Sequence, residues 1–177
     1  MDNTITITPE IRLTSFLPED KTNLVRYLND PEVARNTLTV PYPYLEKDAD
    51  EWLAKVEELR QEYGVETNWA IRHNTEGLIG GIGRFVKTGL DGHADEIGYW
   101  LAAPFRGQGI MTAVVSRLCD WLFENTALIR IEAKVFWYNP ASAQVLKKAG
   151  FDQEGYARKQ QKKGDQFLDI ILLAKIR

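Results

Sequence analysis

Residues 95–112 read D-E-I-G-Y-W-L-A-A-P-F-R-G-Q-G-I-M-T, and the fold turns on how that run divides. Its first half has the period of a strand: Ile97, Tyr99 and Leu101 alternate, and Tyr99 and Trp100 add the aromatic bulk that pleated surfaces favour. Its second half is a glycine-bearing loop, Arg106-Gly107-Gln108-Gly109, which leads into apolar residues at helical spacing: Ile110, Val114, Val115, Leu118, Trp121 and Leu122. Strand, glycine-rich turn and helix N-terminus together suit phosphate. The first helical N–H groups have no intrahelical acceptor, the macrodipole places partial positive charge there, and glycine lets the backbone come close. Arg106 offers a cationic contact as well. The run therefore points to a phosphorylated ligand.

The chain is 177 residues with 44% hydrophobic and 27% charged side chains, enough for a proper core and ordinary for one globular domain spanning 1–177. A net charge of −3 speaks against nucleic acid as the main partner, because phosphate backbones select a basic face. A single cysteine excludes an intramolecular disulfide and a multi-cysteine metal site. His73 and His93 sit at turns without a partner ligand nearby, so no metal is expected. No apolar run approaches the length of a membrane span, and residues 1–12 lack that of a signal peptide. The expectation is a cytoplasmic protein with no membrane partner.

From the phosphate run outward, residues 11–16 alternate as a strand, and Pro18 opens a helix carrying Leu24, Val25 and Leu28 that Asn29-Asp30-Pro31 breaks. A short helical piece over 32–36 and a Pro-Tyr-Pro-Tyr loop lead to a helix over 46–63 closed by Gly64. Strands over 68–72, 78–86 and 94–101 are separated by turn-rich segments and should be antiparallel neighbours. Residues 128–137 alternate as a strand. A helix connects them to the preceding strand, so that pair should be parallel. Asn139-Pro140 has the N-cap and first-turn chemistry of a helix that stops at Gly150. A hairpin of 151–157 and 167–175 closes the chain. The expected class is α/β (α+β): a mixed, mostly antiparallel sheet of about seven strands with helices on both faces.

Three phosphate ligands compete. A P-loop needs lysine after its last glycine, and none follows Gly109. A dinucleotide fingerprint has Gly107-x-Gly109, and Glu132 at a plausible ribose position, but Thr112 stands in place of its third glycine and five residues intervene after the strand. The third ligand is coenzyme A. Residues 106–111 resemble the phosphate loop of the GNAT superfamily of N-acetyltransferases, Arg/Gln-x-x-Gly-x-Gly/Ala, departing from it only at Met111. E-I-G-Y-W-L before the loop, and N-P-A-S-A-Q-V-L-K-K-A-G-F from Asn139 onward, are similar to the branch that acetylates the N-termini of ribosomal proteins (RimJ/RimL-like).

That resemblance implies a GNAT-like fold and transfer of an acetyl group from acetyl-CoA to a primary amine, with a peptide N-terminus or a small molecule as acceptor and a homodimer as a common assembly. It implies that Arg106, Gly107, Gln108, Gly109, Ile110, Met111 and Thr112 hold the pyrophosphate. The backbone of Trp100 and Leu101 would meet the pantetheine arm beside a parted pair of central strands, and Asn139 would lie near the coenzyme while also capping its helix. Glu96 stands where related enzymes place a general base; as an ordinary strand residue it would pair with a neighbouring cation. Ser142 or Tyr138 would protonate the departing thiolate, because Leu146 occupies the place of the tyrosine used by many members. The alternative is a module that binds acyl-CoA without turnover. Tyr42 and Tyr44, in a Pro-flanked loop, are expected near the surface as part of an acceptor pocket. Trp69 and Trp137 are alternatively core or pocket wall. Arg158 to Lys163 are read as a basic hairpin tip, and Cys119 as a buried, inert thiol.

Overall fold

In the computed structural model, which describes residues 4–177, eight strands are hydrogen-bonded in the order β1-β2-β3-β4-β5-β6-β8-β7. The single-domain and leader expectations extend over residues 1–3, which lie outside the described residues. Two compact units divide the chain: the described residues up to Gly83 with Tyr99–Ile110, and Arg84–Gly98 with Met111–Arg177.

The first unit contains β1 (Ile5–Thr6), β2 (Ile11–Thr14), α1 (Lys21–Leu28), α2 (Pro31–Asn36), α3 (Glu46–Tyr63), β3 (Asn68–His73) and most of β4 (Gly77–Phe85). β1–β2, β2–β3 and β3–β4 are antiparallel. The helices supply Leu24, Leu28, Val33 and Ala49 to a buried cluster with Tyr44, Ala70 and Leu78. α3 ends as its sequence dictates: Gly64 is left-handed (φ 67°) and its N–H closes on the Arg60 carbonyl. Buried Asp20 accepts two bonds from the Arg72 guanidinium, at 2.8 and 2.9 Å, and one from the Leu17 N–H. Removing either partner of such a pair leaves a charge without compensation.

The end of β5 (Ala94–Leu101) belongs to this unit and rests on two consecutive glycines of β4. A Cβ on Gly80 would lie 2.6 Å from the Trp100 carbonyl oxygen, and one on Gly81 would lie 2.7 Å from the Trp100 indole nitrogen. Both values are below any tolerable contact, so the pair exists because the strand end must come this close. Since the obstacle at Gly80 is backbone, which cannot swing aside, Gly80→Ala should destabilise the protein by about 1–3 kcal/mol, the usual cost of overpacking. A urea midpoint equal to that of the parent would refute this.

The second unit contains the start of β5, α4 (Ile110–Asn125, from Met111 on), β6 (Arg130–Phe136), α5 (Pro140–Lys148), β7 (Asp152–Lys163) and β8 (Gln166–Ile176). α4 buries Met111, Val114, Val115, Leu118, Cys119, Leu122 and Phe123. Burial pushes the Cys119 thiol up to about 12, the inert state expected of it. β5 and β6 are parallel, as a helical crossover requires, and this ladder runs from Ala94↔Arg130 to Ile97↔Ala133. β6–β8 and β7–β8 are antiparallel.

Ion pairs stitch the polar side of this unit. Buried Asp95 receives Arg84 and the Lys87 N–H, both at 3.1 Å, and Glu132 receives Lys87 and Arg130. Burial opposes ionisation of Glu132, but these two cations outweigh it and hold the carboxyl below its ordinary range. Two differences from the sequence expectation concern strands. β1 is too short to show a period, and β7 continues beyond residue 157 through a bulge at Lys159 (φ 53°), whose N–H is taken by Asp169 at 2.7 Å.

Candidate active site

The glycine loop and strand end lie in the first unit. Gly107 and Gly109 have φ of 75° and 78°, and a Cβ at either would meet nothing within 4 Å. Their identity therefore follows from backbone conformation and not from crowding. Gly107, Gln108 and Gly109 are exposed, and the Gln108 amide donates to the Pro104 carbonyl at 2.9 Å. Trp100 is half-buried against Gly80 and Gly81, and Leu101 is buried; the N–H of Ala102 next to it donates to the Ile79 carbonyl at 2.8 Å. Arg106 does not point freely into solvent. Its Nε donates to the Leu101 carbonyl at 2.9 Å, one terminal nitrogen to Asp30 at 2.8 Å and the other to Glu32 at 3.3 Å. Ile110 is the first residue of α4 and is half-buried.

An anion fits this loop. Two left-handed glycines leave an exposed backbone without side chains ahead of a 16-residue helix, the arrangement in which N–H groups and dipole cooperate.

The other predicted residues lie in the second unit. Met111 is buried and Thr112 half-buried. The Met111 side chain thus belongs to the core, and its departure from the loop pattern places no bulk among the exposed glycines. Glu96 is half-buried and pairs with Lys134 at 2.7 Å. Its neighbour Asp95 is committed to Arg84. Asn139 caps α5, its side-chain oxygen accepting the Ser142 N–H at 3.2 Å. Ser142 is half-buried in the first turn. Tyr138 stacks on Phe136 (centroids 5.5 Å apart) and meets Trp137 edge-on at 5.8 Å. Glu96, Tyr138, Asn139 and Ser142 thus share one unit, and Trp100, Leu101 and the loop share the other. Among the described residues no group of three or more His, Cys, Asp or Glu side chains is placed to hold a metal ion, and no helix is long and apolar enough to cross a membrane.

The aromatic expectations divide. Tyr42 is 57% exposed, as expected, but Tyr44 is 3% exposed and part of the core. The loop turns Tyr44 inward because α1 and β4 leave an apolar space beside Leu24 and Leu78. Burial pushes its phenol up to about 12. Trp69 is fully buried, whereas Trp137 is 55% exposed.

Sequence reasoning passed over Asp30 and Glu32, reading Asn29-Asp30-Pro31 as a helix breaker alone. The usable signal was Asp followed by Pro, an N-cap and first-turn signature; Asp30 does accept the Glu32 N–H at 2.8 Å. Nothing local marks Asp30 as a partner of a residue 76 positions away.

A family model described as acetyltransferase (GNAT) domain matches residues 10–152. The uncharacterized N-acetyltransferase p20 of Bacillus licheniformis is 29% identical over 167 residues, 94% of this chain and 93% of its own length. The ribosomal-protein-serine acetyltransferase of Escherichia coli (strain K12) is 35% identical over 81 residues, 46% of this chain and 45% of that protein. Among solved structures, the microcin C7 self-immunity acetyltransferase MccE in complex with acetyl-CoA and AMP superposes with a TM-score of 0.86 at 20% identity, covering 98% of this chain and 96% of the other.

Proposed function

This chain belongs to the GNAT acetyltransferase family, and we propose that it moves an acetyl group from acetyl-CoA to a primary amine, in one step with both substrates bound. The observation that carries the proposal is the pair of left-handed, exposed glycines, Gly107 and Gly109, ahead of α4. Residues 106–112 hold the pyrophosphate, largely through main-chain N–H groups, and the main chain of Trp100 and Leu101 aligns the pantetheine arm. The parallel ladder covers only the first four residues of β5, which supports this part of the reading, since backbone groups beyond it suit an extended amide-bearing arm. Asn139 lies near the coenzyme while capping α5.

The coenzyme supplies an acetyl thioester. Glu96 takes a proton from the attacking ammonium, directly or through water, once that ammonium displaces Lys134 from the carboxylate. The amine nitrogen bonds to the carbonyl carbon, the carbon–sulfur bond breaks with its electron pair on sulfur, and Ser142 or Tyr138 gives a proton to the thiolate and regains one from the new amide nitrogen. A main-chain N–H near Trp100 steadies the oxyanion. An α-amino group, with a pKa of about 7.7–8.0, deprotonates far more readily than lysine at about 10.4. We therefore favour a peptide N-terminus or a small amine. The resemblance to the E. coli ribosomal-protein-serine acetyltransferase supports a protein acceptor. Residues 1–177 form one N-acetyltransferase domain on this reading, acting in the cytoplasm without nucleic acid, membrane or metal.

Melting curves with acetyl-CoA, CoA, NADH and ATP in parallel test the donor. At 100 times its dissociation constant a ligand adds about 2.7 kcal/mol, and the shift is expected with acetyl-CoA and CoA alone. Thiol release against N-terminal peptides and small amines then tests turnover. No shift with either coenzyme form overturns the proposal; binding without turnover against the whole panel reduces the chain to a coenzyme-binding module.

A further inference from the structure

Resting on the coenzyme reading above, we infer that Asp30 is a positioning residue for the phosphate loop, and that Arg106 acts through its guanidinium as the loop's fastener. Three contacts converge on that side chain. Its Nε holds the Leu101 carbonyl at 2.9 Å, at the end of β5, and its terminal nitrogens hold Asp30 at 2.8 Å and Glu32 at 3.3 Å. Arginine's five donors in a rigid fork suit such convergence, and charge-assisted bonds are the strong ones.

The anchor is itself fixed. One Asp30 oxygen caps α2 by accepting the Glu32 N–H at 2.8 Å while the other takes Arg106. The cap, the salt bridge and the strand-end carbonyl thus form one chain of bonds that ends at the residue before Gly107. A loop with two left-handed glycines is the most permissive backbone a protein can build. Holding its first residue at both the strand and α2 removes conformations that the coenzyme would otherwise have to suppress on binding. A guanidinium paired with two carboxylates contributes little net charge to a phosphate. The loop therefore binds through N–H groups, and Arg106 supplies geometry.

The test uses the full chain and three variants: Asp30→Asn, Arg106→Ala and the double. Asparagine has one acceptor oxygen, so it can keep the α2 cap or the Arg106 contact but not both. Its cap competence keeps the helix, and the urea midpoint monitors folding in every variant. The dissociation constant for CoA and the KM for acetyl-CoA should rise about tenfold in each single variant, as for loss of a charge-assisted hydrogen bond. kcat at saturating acetyl-CoA and the KM for the amine should change less than about twofold, and the double variant should lose no more affinity than the worse single one. If Arg106 instead touches phosphate, Asp30→Asn frees it and CoA binds as well or better, which overturns the inference. Additive losses in the double variant overturn it too, as does a lower urea midpoint with unchanged affinity. A parent protein that binds no CoA overturns the coenzyme reading itself, and is distinguished because the failure precedes any substitution.

Discussion

Glu96→Gln is expected to lower kcat at neutral pH by about 10²–10⁴, the usual contribution of a positioned general base. KM for acetyl-CoA should be nearly unchanged, since on this reading Glu96 acts on the amine proton and the main chain of residues 106–112 holds the coenzyme. The deficit should shrink as pH rises. Above the acceptor's own pKa, about 7.7–8.0 for an α-amino group, a growing fraction arrives already deprotonated and needs no base. Glu96 forms an ion pair with Lys134 at 2.7 Å, which gives the expectation a second edge. If the pair were merely structural, Glu96→Gln and Lys134→Met would lower stability alike and leave rate alone. If the acceptor ammonium displaces Lys134, Lys134→Met keeps or raises kcat/KM for the amine. Full activity of Glu96→Gln at pH 7 with the true acceptor would remove Glu96 from the mechanism.

The second large effect is expected at the loop. Gly107→Val or Gly109→Val places a β-branched residue at φ near 75° or 78°, a conformation that costs an L-residue about 1–2 kcal/mol and is a true outlier for a branched side chain. Neither new Cβ meets another atom within 4 Å, so the free protein can relax the loop and should melt close to the parent. The strain returns when the loop must re-form around phosphate. The dissociation constant for CoA should therefore rise about 5- to 30-fold per substitution, with tenfold equal to about 1.4 kcal/mol. Isothermal titration of parent and variants measures this directly. Unchanged affinity in both would show that the left-handed backbone is not needed for binding.

Much of the element order was legible because local chemistry sets it. α3 occupies Glu46–Tyr63 as its apolar spacing and Gly64 require, and α5 starts under the Asn139 cap. The parallel pairing of β5 and β6 followed from a helical crossover. β1 was not legible, since two residues carry no period. The far end of β7 was missed because Lys159 and its neighbours read as a charged tip, whereas Asp169 on the adjacent strand supplies the hydrogen bond that lets the strand continue past a bulge.

The site divides in the same way. The glycines of the loop, the strand before it and the N-cap of α5 are all written in short runs, because backbone conformation and capping are decided by residues a few positions apart. Those runs also carry the family, which the match over residues 10–152 shows. By itself the sequence therefore determined the GNAT acetyltransferase identity of this protein, the loop's conformation and the start and stop of its main helices. Only the tertiary structure decided where the ionised side chains spend their charge and which aromatics are buried. Arg106 turned to Asp30 and Glu32, Glu96 to Lys134, and Tyr44 into the core while Trp137 stayed outside. The reason is physical: a long charged side chain reaches any opposite charge within several ångströms, and an aromatic ring fills whatever apolar space the fold leaves. Both choices depend on neighbours that the chain brings together from tens of residues away.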